Sequence, residues 1–348
     1  MSQMFTMSKN INMSPSSRLF KRNKKRLITS LASTLFVFTM IHMDFGQEFS
    51  RGPPANVSCH YVNSNFSLPL LQSTLPQRSI FFHQTSCPAN LTPRQVCSIE
   101  SAARTHPAWQ INVIFSGPVH LETVNGVKLL KSFTNIKFWT INIKDFATNT
   151  PLEGLVSSGV LSKCKWGMER TRDVLKYLSL YRFGGIFLDL DIIIARTLGS
   201  LARNWAAREN ANKVGDGILA ISKNSIGHNI TDAAIRYIVS IYKNNDWCKE
   251  SQDVVMGVLQ ELCSTPDANY MSAATCNGFE VYGSQFFYPI EKQSAREYFV
   301  PGEVQDLSAY IYHLWGDVTN GYKISKSSPY SKLARRFCPF NSLLNIKK

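Results

Sequence analysis

The chain has 348 residues, 44% of them hydrophobic and 18% charged, enough apolar side chain to bury a sizeable core in one large domain or two small ones. Its 38 Lys and Arg against 24 Asp and Glu give a formal net charge of +14, but seven of those cations stand in the first 26 residues, which hold no acid. The remaining +7 is no nucleic-acid footprint, and no nucleic-acid partner is expected; a modest cationic excess suits an anionic small molecule.

In that tail Arg18, Lys21, Arg22, Lys24, Lys25 and Arg26 lead into Leu27 to Met43, a run of 17 residues without Asp, Glu, Lys or Arg. The pattern predicts a signal-anchor over 27–43 at the short end of spanning length. A cleaved signal peptide fits less well, because the basic leader is longer than an ordinary n-region. Lys and Arg before the anchor keep 1–26 cytosolic and send the rest into a lumen, a type II topology, and a short anchor suits the thin membranes of the Golgi or endoplasmic reticulum. Two features agree with a lumen. Glycosylation sequons stand at Asn56, Asn65, Asn90 and Asn229, and all eight cysteines (59, 87, 97, 164, 248, 263, 276 and 338) lie beyond the anchor. Short loops suggest Cys87 with Cys97 and Cys263 with Cys276; no pair has C-x₂-C zinc spacing.

Residues 44–77 are polar and broken by Pro53, Pro54 and Pro69, which reads as a stem, so the folded domain is placed at 78–348. Within it the periodicities predict a strand at 80–83, a helix at 94–105, strands at 111–116 and 136–143, and a helix from Met168 to Phe183 ended by Gly184 and Gly185. An apolar strand follows at once, then a short strand at 218–222 and helices near 229–242 and 253–262. The last third is aromatic: FFYPI (Phe286 to Ile290) and AYIYHLW (Ala309 to Trp315), the second alternating like a strand. Strands and helices alternating at this spacing predict an α/β fold on a mainly parallel sheet, with ligands at the carboxyl ends of its strands.

The run RFGGIFLDLDIII (Arg182 to Ile194) carries the chemistry. Read as one strand, it puts Asp189 and Asp191 on the same face, roughly 7 Å apart. Two like charges on an apolar element are costly without a cation, and hard oxygen ligands suit Mg²⁺ or Mn²⁺ with coordination positions left for phosphates. A bare Asp-x-Asp on a solvated strand end is also common by chance. An aspartyl-phosphatase of the haloacid-dehalogenase type uses Asp-x-Asp as well, but wants Thr or Val where this chain has Ile193.

Five runs raise the specificity. VCSIESAARTHP (Val96 to Pro107), RFGGIFLDLD (Arg182 to Asp191), FYPI (Phe287 to Ile290), YHLW (Tyr312 to Trp315) and FCP (Phe337 to Pro339) stand in the order and spacing of the α1,4-glycosyltransferases, which the chain resembles over roughly residues 78 to 340. The resemblance implies a GT-A fold and a retaining, Mn²⁺-dependent transfer from UDP-galactose, UDP-GalNAc or UDP-GlcNAc to a galactose- or N-acetylhexosamine-terminated glycan, with a glycolipid as the acceptor and the Golgi membrane as the location. Oligomeric state, a homodimer included, is left open. It further implies Asp191 as catalytic metal ligand, Asp189 at the metal and ribose, and His313 as third ligand. Asp173 and Lys176, one helical turn apart, would grip the donor. Gln84, Thr85 and Gly185 join the donor-binding set, and Asp216 is the candidate residue on the sugar's β face.

The chain departs from the family at several points. Lys176 replaces an arginine and loses its bidentate fork, Asp216-Gly217 replaces Asn-Gly, Lys249 to Gln252 replaces a Gly-Pro loop, and Gly316 replaces an asparagine. A catalytically silent relative that holds glycans or partner enzymes is the competing expectation.

Overall fold

The structure is a computed structural model that describes residues 60, 68–87, 90–117, 119, 125–164, 167–243 and 253–340, all within the second of the chain's two units, Pro54–Lys348. The basic tail, the expected anchor, most of the stem, Asn56 and Asn65 lie outside the described residues. Among those described, no helix is long and apolar enough to cross a membrane.

Among the described residues nine strands run in chain order: β1 (Ser79–Gln84), β2 (Gln110–Phe115), β3 (Ile136–Thr140), β4 (Gly185–Leu188), β5 (Ile192–Ile194), β6 (Trp205–Asn210), β7 (Lys213–Ile221), β8 (Glu280–Tyr282) and β9 (Ile311–His313). Seven form one sheet in the order β3-β2-β1-β4-β7-β6-β8, and β5 pairs with β9 in a small second sheet. β3, β2, β1 and β4 are mutually parallel; β7 runs against both neighbours, and β8 is parallel to β6. The mainly parallel sheet is therefore as expected, with one reversed strand.

Its helices are α1 (Pro93–Thr105), α2 (Asn125–Leu130), α3 (Ile143–Ala147), α4 (Glu153–Ser157), α5 (Gly167–Phe183), α6 (Ile226–Lys243), α7 (Val254–Cys263), α8 (Gly316–Thr319) and α9 (Pro329–Phe337). Helices cover both faces, which is why β1 is buried at all six positions rather than at alternate ones. On one face Ile80, Phe82 and Val113 meet Val96, Ile99 and Ala102 of α1. On the other, Phe81, Ile114 and Phe187 meet Leu175 and Leu178 of α5. α1 begins with a capping box in which Thr92 and Gln95 each satisfy the other's backbone, with Pro93 in the first turn.

Gly184 and Gly185 end α5 as expected and for the expected reason. Both have positive φ, 66° and 109°, and a Cβ would lie 2.5 Å from Lys223 N at the first and 2.6 Å from Ser79 O at the second. Three expectations are corrected. The strand expected at 136–143 ends at Thr140 because Asn142 caps α3, its side chain accepting from Lys144 and Asp145 N–H. The strand seen only as 218–222 is the end of a nine-residue strand, and its partner β6, whose polar half is Arg208–Asn210, was not expected. Cys97 bonds Cys338, not Cys87: it faces inward from α1 against the returning C-terminal segment. Cys263 bonds Cys276 as expected, and Cys87 and Cys164 are also disulfide-bonded.

Candidate active site

Asp189 and Asp191 do not share a strand. The chain leaves the large sheet after Leu188, bends through Leu190, and enters the small sheet at Ile192. The bend is fixed from both sides. Asp189 N–H still donates to Gly217 O at 2.8 Å, continuing the β4–β7 register, while Leu314 N–H donates to Asp191 O at 2.8 Å. Ser98 of α1 lies beneath: its Oγ accepts from Ile192 N–H at 3.1 Å and stands 2.8 and 2.6 Å from the Leu190 and Ile192 carbonyls. A continuous strand would hold the carboxylates at its pleat spacing; the bend turns them toward a third residue.

That residue is His313, the last residue of β9, paired with Ile192. Asp189, Asp191 and His313 each offer a ligand atom, all within 4.8 Å of one another. His313 Nε2 is 3.5 Å from Asp191 Oδ1, and Trp315 N–H donates to His313 Nδ1 at 3.2 Å. Asp191 Oδ2 accepts from Gly316 N–H at 2.5 Å, an approach that a side chain at 316 would crowd, since a Cβ there would lie 3.0 Å from Asp191 Cβ. This gives the departure at Gly316 a physical reason. Two carboxylates and one imidazole suit Mn²⁺ or a similar divalent ion, so the residues fit the expected group. With Nδ1 accepting a bond, the neutral ring holds its proton on Nε2; ligation through Nε2 requires that proton to move to Nδ1 and the Trp315 contact to lengthen.

Burial pushes the Asp189 carboxyl up to about 6, with Arg172 pulling the other way and Asp191 adding to the rise. Arg172, on α5, was missed in the sequence. Its Nη1 lies 3.7 Å from Asp189 Oδ1, and its side chain remains 39% exposed. The available signal was its place four residues, one helical turn, before Lys176. Gly217 was noted only as half of a dipeptide, yet a Cβ there would sit 2.6 Å from Asp189 Oδ2 and 3.2 Å from His313 Nε2.

Asp173 and Lys176 do meet at 3.3 Å, but deep in the protein. Lys176 Nζ also lies 3.1 Å from both Asp216 Oδ2 and Asp216 O, and Arg170 Nη1 holds Asp173 Oδ2 at 3.1 Å. Burial alone would raise the Asp216 carboxyl; Lys176 and Arg172 outweigh it and hold it well below the usual carboxylate range. Gln84 and Thr85 end β1 at the sheet's carboxyl edge, both buried. The Gln84 side chain is committed internally, donating to Asn90 O at 2.6 Å and accepting from Ser86. Gly185 opens β4 at the opposite end of that strand, roughly 13 Å from Asp189 by strand rise, and therefore lies away from the acid pair. Asn90 and Asn229 are both exposed. A cavity of about 750 Å³, lined in part by Gly185, Trp109 and Lys223, lies at the amino edge and does not include the acid pair.

Residues 92–212 match the family described as "Glycosyltransferase sugar-binding region containing DXD motif", and residues 223–343 match "Alpha 1,4-glycosyltransferase conserved region". Lactosylceramide 4-alpha-galactosyltransferase of Homo sapiens is 26% identical over 323 residues, 88% of this chain and 89% of the relative. The Rattus norvegicus enzyme of that name is 26% identical over 349 residues, 96% and 94%. Alpha-1,4-N-acetylglucosaminyltransferase of Homo sapiens is 23% identical over 279 residues, 76% and 79%. Among solved structures, the galactosyltransferase LgtC with donor and acceptor analogues is 14% identical, covering 74% of this chain and 95% of that one, with a TM-score of 0.41. The apo glycosyltransferase GlyE of Streptococcus pneumoniae TIGR4 is 11% identical, 78% and 63%, with a TM-score of 0.46.

The first match contains the acid pair and the second contains His313, so the three residues that could hold a metal are drawn from both. Such a sheet, with Asp-x-Asp at the carboxyl end of its central strand, defines a glycosyltransferase of the GT-A class that uses a nucleotide-sugar donor. Within that class, residues 223–343 match the conserved region of the α1,4-glycosyltransferases, which the chain resembles along most of its length.

Proposed function

We propose that the protein transfers a hexosyl residue from a UDP donor, in α1,4 linkage and with retention of configuration, to a galactose- or N-acetylhexosamine-terminated glycan carried on a lipid. The observation that carries the reading is the convergence of Asp189, Asp191 and His313 from two sheets onto one point. The names of the relatives, a lactosylceramide 4-alpha-galactosyltransferase and an alpha-1,4-N-acetylglucosaminyltransferase, support the linkage and galactose or GlcNAc as the donor sugar, with GalNAc kept from the sequence reading alone. A Golgi membrane location with the domain in the lumen is part of the proposal and rests on the sequence of residues 1–43.

Asp189, Asp191 and His313 would hold Mn²⁺, which when bound neutralises charge on the departing UDP. Arg172 stands beside the metal ligands with much of its side chain exposed and would take a diphosphate oxygen, a role for which a planar fork suits it. Arg172 would then be shared between the buried Asp189 carboxylate and that phosphate oxygen. Asp216 cannot act as a free base while Lys176 pairs with its carboxylate, which fits a transfer in which the leaving phosphate accepts the acceptor's proton.

The test is incubation of the full-length protein in detergent with Mn²⁺, a lactosyl acceptor and UDP-galactose, UDP-GalNAc or UDP-GlcNAc in turn. One donor should give an α1,4-linked product and UDP, and Asp191→Asn should abolish both. Metal-dependent UDP binding without any transfer would instead support the silent-relative reading.

A further inference from the structure

Lys176 is the most enclosed cation of the described site, with a side chain 2% exposed. An ammonium so placed costs several kcal/mol unless its partners replace water. It has three oxygen partners within 3.3 Å: Asp173 Oδ1 on its own helix, and Asp216 Oδ2 and the Asp216 carbonyl on β7. The rings of Tyr177 and Phe187 lie 5.0 and 5.6 Å away and complete the enclosure. The three ammonium hydrogens each have an oxygen partner in that arrangement, which leaves none for a phosphate.

What the lysine grips is the residue before Gly217. The Gly217 carbonyl receives Asp189 N–H at 2.8 Å, and its missing Cβ leaves the room that Asp189 Oδ2 and His313 Nε2 occupy. Helix α5 therefore reaches the acid pair twice: Arg172 touches Asp189 directly, and Lys176, one turn further on, ties down the strand segment against which Asp189 and His313 pack.

We propose that Lys176 is a positioning residue, an internal strut that fixes the Asp216-Gly217 segment of β7 and through it the spacing of Asp189 and His313, without touching the donor. The inference rests on the metal pocket of the proposed function and deepens it: Lys176 sets affinity for the divalent ion itself. A donor-binding lysine would act only when the nucleotide sugar is present, and that difference makes the two roles separable.

The experiment is titration of the full-length protein in detergent with Mn²⁺ alone, followed by electron paramagnetic resonance, and then calorimetry of UDP at saturating Mn²⁺. Lys176→Met should weaken Mn²⁺ binding at least tenfold in the absence of nucleotide. Should burial of an unpaired Asp216 prevent that variant from folding, Lys176→Met combined with Asp216→Asn removes both charges and must show the same loss with melting intact. Lys176→Arg, which keeps the charge, should stay within about threefold of wild type. Unchanged Mn²⁺ affinity in the folded double variant, or a loss confined to UDP, would overturn the strut. A wild-type protein that fails to bind Mn²⁺ at all would overturn the metal reading of the site along with it.

Discussion

Gly217 and Asp189 are in contact across the β4–β7 register, the glycine at a point where any Cβ would stand 2.6 Å from Asp189 Oδ2. The glycine is required by space and not by backbone conformation: the described glycines with positive φ are Gly159, Gly184, Gly185 and Gly278. Gly217→Ala should therefore push Asp189 or His313 away from the common point. Overpacking of this kind costs about 1–3 kcal/mol of stability. Affinity for Mn²⁺ should fall by at least about tenfold, equivalent to about 1.4 kcal/mol. Calorimetry and thermal melting on one preparation would separate the two effects, and unchanged Mn²⁺ affinity would show the contact to be tolerant.

Metal binding should weaken in mild acid at a definite place. Without metal, Asp189 holds a proton up to about pH 6 because burial disfavours its charged form, and a protonated carboxyl is a poor ligand. Apparent Mn²⁺ affinity should be flat above about pH 7 and fall below about pH 6 as Asp189 takes up its proton. Asp189→Asn should bind weakly throughout and lose that slope. A wild-type affinity that is unchanged down to pH 5 would mean that Asp189 is ionised without the metal.

Much of this was legible in the sequence, and the misses have a common cause. The apolar runs of β1 and β2, the capped helix α1 and the Gly-Gly stop all express local rules, so their residues announce them. Asp189, Asp191 and His313 were legible because a carboxylate pair after an apolar strand is chemically expensive and YHLW stood in register with it. The bend at Leu190 was not, since it is made by Ser98 and Leu314 from distant segments. Arg172 and the burial of Lys176 were equally hidden: which side of α5 faces the acids depends on how the helix is laid on the sheet. β6 escaped because its second half, Arg208 to Asn210, is polar, yet β7 pairs with Arg208 and Asn210 across a register shift.

The bond between Cys97 and Cys338 closes a loop with a sequence separation of 241 residues and ties α1, which supports the bend at Leu190, to the end of α9. Long loops gain most from closure, so its removal should cost about 2–5 kcal/mol. Cys97→Ser with Cys338→Ser should lower the urea midpoint and, because Ser98 is the next residue along, reduce Mn²⁺ affinity as well. Removing Cys263 and Cys276, on the α7 side and separated by only 13 residues, should cost less stability and leave the metal affinity alone. Equal effects of the two double variants on Mn²⁺ binding would refute the asymmetry.

Two buried histidines should make the fold acid-sensitive above the carboxylate range. Burial lowers His83 to about 3, reinforced by Lys176 and Arg172, and burial lowers His106 to about 4. His106 is satisfied as the neutral ring, its Nε2 accepting Leu198 N–H at 2.8 Å while Nδ1 faces Ala102 O at 3.1 Å, so a second proton has no acceptor. Because both values are depressed, the unfolded chain takes up these protons first, near pH 6.5, and stability is lost as pH falls through that value toward 4. Asp189 opposes the loss, since its raised value lets the folded state bind a proton between about 6 and 3.8 that the unfolded chain does not. Burial also lowers His60 and raises Glu209 and Asp253, so the histidine protons favour unfolding and the carboxyl protons favour folding over the same range, and the His106 share is read by comparison with a variant. Urea midpoints measured without metal from pH 7.5 to 4.5 should fall accordingly. His106→Gln, with no ring to protonate, should be less stable at pH 7.5 and should lose less of its midpoint between pH 7.5 and 4.5 than the wild type; an equal loss would show that His106 is not protonated on unfolding.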